Sequence, residues 1–207
     1  MTMEMRSSQK YIAVILFLSV VITAFIFGLH LIDDEDFFWH LKTGEIILKQ
    51  GPPKVDFYSF RTEGKEWIDA QWLFQAVIYL FYQGFGFEGL SCFLALMVMA
   101  IWLILYWLVF DPDSYPIGFL ISLLVLWTVS PRLNPRPELF SFLLFISYLV
   151  VLEQDRKNRS RNILLIPLFQ LLWANLEGLW PVGLVILGAY FIEELLLNYI
   201  SRVRGFS

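Results

Sequence analysis

Residues 11–40 read YIAVILFLSVVITAFIFGLHLIDDEDFFWH, an apolar run that ends in four consecutive acidic residues. The apolar part, residues 11–32, is about 22 residues long, which is enough for one helix across a bilayer. Carboxylates at a membrane surface are costly to desolvate and repel one another, so this cluster needs a cation, a basic partner or proton-transfer chemistry. The stretch therefore predicts a membrane span followed directly by a polar site.

The composition of the whole chain agrees with a membrane protein. Of its 207 residues, 58% are hydrophobic and 16% are charged, a balance that is atypical of a soluble domain. The length suits about six helices of roughly 20 residues together with one substantial loop. A single cysteine, Cys92, excludes an internal disulfide. Because the first apolar run is too long for the core of a signal peptide, we expect an uncleaved anchor.

Basic residues set the expected orientation, because short loops rich in Lys and Arg stay in the cytoplasm. Segment 154–162 carries four basic residues and one acidic residue, whereas segment 33–71 carries nine acidic and five basic residues. We therefore expect the first of these segments inside and the second outside. The run 72–83 is too short for a span, so we interpret it as a juxtamembrane helix on the outer face.

The predicted fold is an all-α polytopic membrane helical bundle with about six transmembrane helices and a large first outer loop containing juxtamembrane helices. The chain 1–207 is expected to form a single transmembrane domain with both termini cytoplasmic. Its first span covers 11–32, the outer loop covers 33–86, and five further spans lie within 88–198. The expected spans are 11–32, 88–110, 116–130, 138–153, 163–176 and 179–198.

This topology places three polar breaks on the outer side of the bundle. They are segment 33–71, the turn 131–138 and the turn 173–178. Polar groups that converge on one face of a helical bundle indicate a site there. The candidate residues of the second and third turns are Arg132, Asn134, Arg136, Glu138, Asn175 and Glu177.

The outer loop begins with a predicted helix over 36–49, which Asp34 caps and Gly51 ends. Asp36 and His40 lie one turn apart and therefore share one face of this helix. The opposite, apolar face is expected to lie on the membrane. The helix would then offer a carboxylate beside an imidazole, with Asp34 at its start.

Asp34 and Asp36 are compatible with two kinds of chemistry. A carboxylate whose pKa is raised by acidic neighbours can act as a general base on an incoming hydroxyl. Alternatively, the two carboxylates together can hold a divalent cation, Mg²⁺ or Mn²⁺, that neutralises a phosphate leaving group. The simplest alternative is structural, with a helix cap and an acidic edge that enforces the topology.

The later turns also allow two interpretations. Arg132 and Arg136 suit a phosphate partner, as in a lipid-linked donor, or they pair with Glu138 or with lipid headgroups. Glu177 is either an acid of the site or a residue at a water-filled turn.

These motifs together resemble the GT-C superfamily of membrane glycosyltransferases, most closely bacterial members akin to protein O-mannosyltransferases and related lipid-sugar transferases. The first outer loop reads DEDFFWHLKTG at 34–44, then Gly51-x-Pro53-x-x-Asp56-x-Tyr58-Ser59-Phe60, Gly64-x-x-Trp67 and Trp72-Leu73. The later motifs are Arg136-Pro137-Glu138-Leu139-Phe140-Ser141 and Trp173-Ala174-Asn175-Leu176-Glu177-Gly178. The resemblance covers most of the chain, and the motifs occur in the family's order.

The resemblance implies inverting transfer of a sugar from a polyprenyl-phosphate-linked donor to an acceptor on the extracytoplasmic face, in the cell envelope of a prokaryote. It implies that Asp34 or Asp36 is the base or metal ligand, supported by His40. It places Arg132 and Arg136 at the donor phosphate. The remaining substrate-binding candidates are Asn134, Glu138, Asn175 and Glu177.

Three departures from the family pattern keep other functions open. Glu177 stands where relatives often carry His, and Asp69-Ala70-Gln71-Trp72 stands where they often read Asn-His-Glu-Trp. Family members also usually continue beyond six spans. We therefore expect either a second subunit that supplies helices or an outer domain, or a non-catalytic lipid-phosphate-binding subunit, pseudoenzyme or membrane assembly factor. The expected partners are membrane lipid and the lipid-linked donor, and no nucleic acid.

Overall fold

The structure is a computed structural model that describes residues 7–29, 32, 34–109, 115–130, 133, 135–158 and 161–204. Within these residues the regular elements are helices, and the only β-structure is an isolated antiparallel bridge between Val55 and Glu66. The helices are α1 (Ser7–Gly28), α2 (Glu35–Gln50), α3 (Trp72–Val109), α4 (Tyr115–Val129), α5 (Glu138–Asn158), α6 (Ile166–Leu176) and α7 (Pro181–Arg204). A short 3₁₀ helix, Arg161–Leu165, precedes α6.

Three stretches are long and apolar enough to cross a membrane, judged by length and composition. They are Tyr11–Gly28 in α1, Trp72–Leu108 in α3 and Pro181–Ile200 in α7. Helix α4 contains a shorter apolar stretch, Pro116–Val129. The chain is thus an all-α protein with the helices of a membrane protein. The expected count of about six spans is not confirmed, because only three helices of the described residues meet these criteria.

Helix α3 consists of two helical segments that meet at Gly86, which has φ +67° and ψ −166°. The rings of Phe81 and Phe93 stack with centroids 3.8 Å apart. Twelve residues of straight helix would separate their backbones by about 18 Å, so the chain must bend sharply between them. The segments 72–85 and 87–109 are therefore separate helices, in agreement with the division expected from the sequence.

Small residues bring α1 against α3. Along α1 the buried positions include Ala13, Val20, Ala24 and Gly28, which repeat mostly at helical spacing. A Cβ added to Gly28 would lie 2.6 Å from the Cα of Ala95, so only glycine permits this contact. Close backbone approach through small residues is the usual way for membrane helices to pack.

Helix α2 packs on the first segment of α3, and this contact also requires a glycine. A Cβ on Gly44 would lie 2.1 Å from the carbonyl oxygen of Gln75. Asp34 caps α2 by accepting a hydrogen bond from the Asp36 N–H, and Gly51 ends it with φ +84°, as predicted. Asp36 and His40 lie one turn apart on α2, but Asp36 is exposed whereas His40 is buried against α3.

Candidate functional site

Three side-chain hydrogen bonds join the predicted outer polar segments, or the helix residues next to them, in pairs. They are Arg136 Nε to Asp34 Oδ2 at 2.6 Å, Trp72 Nε1 to Asn175 Oδ1 at 2.8 Å, and Ser141 Oγ to Glu177 Oε2 at 2.7 Å. The first two bonds span 102 and 103 residues of sequence. The polar breaks therefore meet on one side of the bundle, as expected from the topology.

Arg136 partly neutralises the acidic start of α2. The carboxylate of Asp34 accepts from Arg136 through Oδ2 and from the Asp36 N–H, at 3.1 Å, through Oδ1. The Asp34 side chain is only 8% exposed, whereas those of Arg136 and Asp36 are 45% and 68% exposed. The Arg136 hydrogen bond holds the pKa of Asp34 below its usual value. The expectation that acidic neighbours raise the pKa is therefore wrong for Asp34.

Asp36 is the more accessible carboxylate of the pair. Its Oδ2 lies 3.9 Å from Arg136 Nη2, which is an ion-pair distance beyond that of a good hydrogen bond. Arg136 thus bonds Asp34 closely and Asp36 only loosely. The Asp36 carboxylate and part of the Arg136 guanidinium are therefore exposed at the surface of the protein.

The residues present do not fit a divalent cation in this arrangement. Both oxygens of Asp34 already accept hydrogen bonds, and the guanidinium of Arg136 puts a positive charge beside Asp34 and Asp36. Mg²⁺ and Mn²⁺ favour sites built from several oxygen ligands. Within the part of the chain that the structure describes, no group of three or more His, Cys, Asp or Glu residues could hold a metal. A cation at Asp34 and Asp36 stays a prediction without geometric support.

His40 lies one turn after Asp36 on α2 and is buried. Its ring faces Trp39 with centroids 3.7 Å apart, and its Nδ1 lies 3.2 Å from Gln75 Nε2. Burial lowers the pKa of His40 to about 4, against the opposing effect of the nearby carboxylates, so the ring is neutral at pH 7. Its ring nitrogen Nδ1 bonds Gln75 and neither Asp34 nor Asp36. His40 therefore supports the contact between α2 and α3.

The second outer turn is described in part. Arg132 and Asn134 lie outside the described residues, so only Arg136 and Glu138 can be placed. Glu138 begins α5, and its negative charge helps to raise the pKa of Arg136. The Oε2 atom of Glu138 is buried and has no hydrogen-bond partner among the described residues.

Glu177 is an internal residue that ties α6 to α5. It is 7% exposed, and its Oε2 accepts hydrogen bonds from the Ser141 hydroxyl and, at 2.6 Å, from the Leu179 N–H. Trp173 Nε1 donates to the same Ser141 hydroxyl at 2.8 Å. Glu177 thus stabilises the third turn, and the structure shows no hydrogen bond from it to Arg136.

Sequence reasoning missed the role of Asp56 in shaping the outer loop. Asp56 is 5% exposed and accepts hydrogen bonds from the N–H groups of Tyr58 and Ser59 and from the Thr62 hydroxyl. The Thr62 bond is the main cause of its lowered pKa. The hydroxyl of Tyr58 lies 2.6 Å from that of Thr43 on α2. The Asp-x-x-Ser pattern at 56–59, which favours a side-chain-stabilised turn, could have indicated this role.

A half-open apolar cavity on the side of the bundle reaches the second outer turn. It measures about 210 Å³ and lies between α3, α4 and α5. Its lining includes Leu133 in the turn itself, together with Val98, Trp102, Val125 and Phe145. A hydrocarbon chain bound there would end close to the turn that carries Arg136.

No protein-family model, curated protein or solved structure matches the chain. A functional interpretation therefore depends on the residues and on their geometry.

Proposed function

We propose that this chain is a GT-C-type membrane glycosyltransferase that moves a sugar from a polyprenyl-phosphate-linked donor to an acceptor on the extracytoplasmic face. The observation that carries the proposal is the pairing of Asp34 with Arg136 directly beside the exposed Asp36. Sugar transfer needs a base for the acceptor hydroxyl and a positive charge for the phosphate leaving group. These two groups lie side by side at the end of an apolar helix.

Each residue has a separate role in the proposed reaction. Asp36 accepts the proton of the acceptor hydroxyl as the hydroxyl oxygen forms a bond to the anomeric carbon. The bond from that carbon to the phosphate oxygen breaks, and the polyprenyl phosphate leaves with the bonding electrons. Arg136, held in place by Asp34, donates its remaining N–H groups to the phosphate. Neither step requires the buried His40 to change its protonation.

The apolar cavity beside Leu133 supports a lipid-linked donor in preference to a soluble one. Its lining is hydrocarbon and aromatic, which suits an isoprenoid chain. A chain seated there would bring its phosphate toward Arg136. The proposal places the active face outward, both termini inside and the protein in the cytoplasmic membrane of a prokaryote, supported by the basic segment 154–162.

The test is binding of a short-chain polyprenyl-phosphate sugar to the purified chain in detergent, followed by transfer to an acceptor. We expect Arg136→Ala to weaken binding by about tenfold or more, because a charge-assisted hydrogen bond contributes roughly 1.5–3 kcal/mol. We expect Asp36→Asn to retain binding and lose turnover. The matched control is Arg61→Ala, which removes an exposed arginine of the same loop and leaves the ion pairs of Asp34 and Asp36 with Arg136 in place, and it should change neither.

A second candidate is a non-catalytic subunit that binds lipid phosphate. The hydrogen bond from Arg136 to Asp34 removes one of the two expected bases, because a carboxylate with a lowered pKa is a poor base. This second candidate predicts the same loss of binding in Arg136→Ala, with no turnover by the unaltered chain alone or with a partner subunit. Retained binding in Arg136→Ala would argue against both candidates and leave a membrane assembly factor.

A further inference from the structure

Three buried polar atoms at the junction of the outer loop and α3 have no hydrogen-bond partner among the described residues. They are Trp67 Nε1, Asp69 Oδ2 and Gln75 Oε1. All three are closed off from solvent, so a water molecule does not reach them in this packing. An unsatisfied buried polar group is costly, and two acceptors in one small region need an explanation.

The side chain of Gln75 connects this region to α2. Its Nε2 lies 3.4 Å from Asp69 Oδ1 and 3.2 Å from His40 Nδ1, and the residue has no exposed surface. Asp69 Oδ1 also accepts from the Gln71 N–H at 3.0 Å. The carboxamide of Gln75 therefore bridges the carboxyl group of Asp69 and the neutral imidazole of His40. Asp69 Oδ2 and Gln75 Oε1 both lack a hydrogen-bond donor among the described residues.

We propose that Asp69 is a neutral carboxylic acid in this packing and forms a proton-operated latch between the outer loop and α3. A proton on Oδ2 converts one unsatisfied acceptor into a donor, and a carboxyl group paired with the Gln75 carboxamide can then satisfy Oε1. The indole N–H of Trp67 cannot replace this proton, because one donor cannot satisfy two separate acceptors.

The same conclusion holds for either orientation of the Gln75 amide. If the amide is turned round, its oxygen is the atom that lies 3.4 Å from Asp69 Oδ1. Two acceptor oxygens would then face each other, and a proton on Asp69 again removes the conflict. With either assignment of the amide oxygen and nitrogen, a proton on Asp69 is therefore needed.

The electrostatics of the surroundings agree with this geometry. Burial raises the pKa of Asp69, and the hydrogen bonds from Gln71 and Gln75 oppose the increase. No charged side chain is among the causes of the shift. On α2, His40 contacts the same Gln75 side chain and is neutral. Asp36 on that helix and Asp34 at its cap face Arg136. The first segment of α3 contributes Tyr79, and the loop contributes the exposed Lys65 and Glu66.

The direction of the pH effect follows from the raised pKa. The closed form binds the proton more tightly than an open form in which Asp69 has its ordinary pKa of 3.8. The closed form is therefore fully favoured below that value and loses stability as the pH rises through the raised pKa. Asp69 lies just before the start of α3, where Trp72 bonds Asn175 on α6. One turn further along α3, Gln75 bonds His40 on α2. Opening would loosen the contacts of this segment with both α6 and α2.

The test uses the full chain in lipid nanodiscs with a nitroxide at Ile68→Cys in a Cys92→Ser background. Ile68 is 87% exposed, so the label does not disturb the packing. We expect an immobilised spectrum below the ordinary pKa of 3.8 and a mobile component that grows, with the titration of one proton, as the pH rises through the raised pKa of Asp69. Asp69→Asn should abolish the growth, because the asparagine amide can donate to Gln75 Oε1 at every pH.

Two further variants and infrared spectra test whether the Asp69 proton controls the latch. Glu66→Gln removes a neighbouring exposed acid and should leave the titration unchanged, whereas Gln75→Met removes the bridge and should give a mobile label at all pH values. Infrared difference spectra at low pH should show a protonated carboxyl band that Asp69→Asn removes. The latch is refuted by an unchanged titration in Asp69→Asn, by a label immobile throughout in the unaltered chain, or by the same carboxyl band in Asp69→Asn.

Discussion

At the scale of single residues, the Asp34 carboxylate makes two hydrogen bonds that fix different parts of the structure. It caps α2 through one oxygen and holds Arg136 through the other, so the start of the helix and the second outer turn are fixed by one carboxylate. The helix N-terminus also favours a negative charge at this position. The position of Arg136 is thus coupled to the folding of α2.

We predict that Asp34 and Arg136 are energetically coupled. Unfolding of the single variants Asp34→Asn and Arg136→Ala and of the double variant, measured in detergent at pH 7, should give a coupling of about 1 kcal/mol, since Arg136 is partly screened by solvent. Because Arg136 lowers the pKa of Asp34, the coupling is present above the ordinary pKa of 3.8 and is lost as the pH falls through the lowered value. Strictly additive effects at pH 7 would contradict the pairing.

Residue-level prediction from sequence succeeded where the cause is local. The cap at Asp34 and the glycine at 51 follow from neighbouring residues alone, and both are as predicted. The burial of His40 was not foreseen because it depends on Gln75, 35 residues away, and on the close approach at Gly44. The pairing of Arg136 with Asp34 was likewise not foreseen, because the partners expected for Arg136 were a phosphate, Glu138 or lipid headgroups, and a sequence does not reveal which acid a given arginine meets.

At the scale of elements, the division of α3 depends on Gly86. Its φ and ψ lie in a region that is essentially restricted to glycine, and nothing lies within 4 Å of the position of an added Cβ. A substitution there would therefore report backbone strain and not a steric clash with neighbours. The hydrophobic pattern predicted a break near this point, but it did not show that the two segments would fold against each other.

We predict that Gly86→Ala destabilises the protein by about 1–3 kcal/mol, because alanine must adopt a strained backbone or straighten the bend. The matched control is Gly84→Ala, two residues earlier in helical backbone and also without neighbours, which should be neutral or slightly stabilising. Thermal unfolding of both variants in one detergent makes the comparison. Equal behaviour of the two variants would contradict a bend at Gly86 that requires glycine.

At the scale of the whole molecule, the bend changes how the apolar helices are counted. Counted by length and composition, Trp72–Leu108 is one of three candidate spans. The stacking of Phe81 on Phe93 shows that it is not a straight rod, so segment 72–85 can lie at the outer surface while 87–109 crosses. The shorter helices α4 and α6 then cross only if the bilayer thins or neighbouring helices cover them.

The number of spans decides whether the two termini lie on the same side of the membrane. Three crossings would put the two termini on opposite sides of the membrane, whereas the expected six would put both in the cytoplasm. We predict that a reporter protein that fluoresces only in the cytoplasm is fluorescent at either terminus. In a Cys92→Ser background, Glu63→Cys should react with an impermeant maleimide added from outside, and Lys157→Cys only after permeabilisation. Fluorescence at one terminus alone would refute the six-span topology, and fluorescence at the C-terminus alone would also refute the outward placement of Asp34, Asp36 and Arg136.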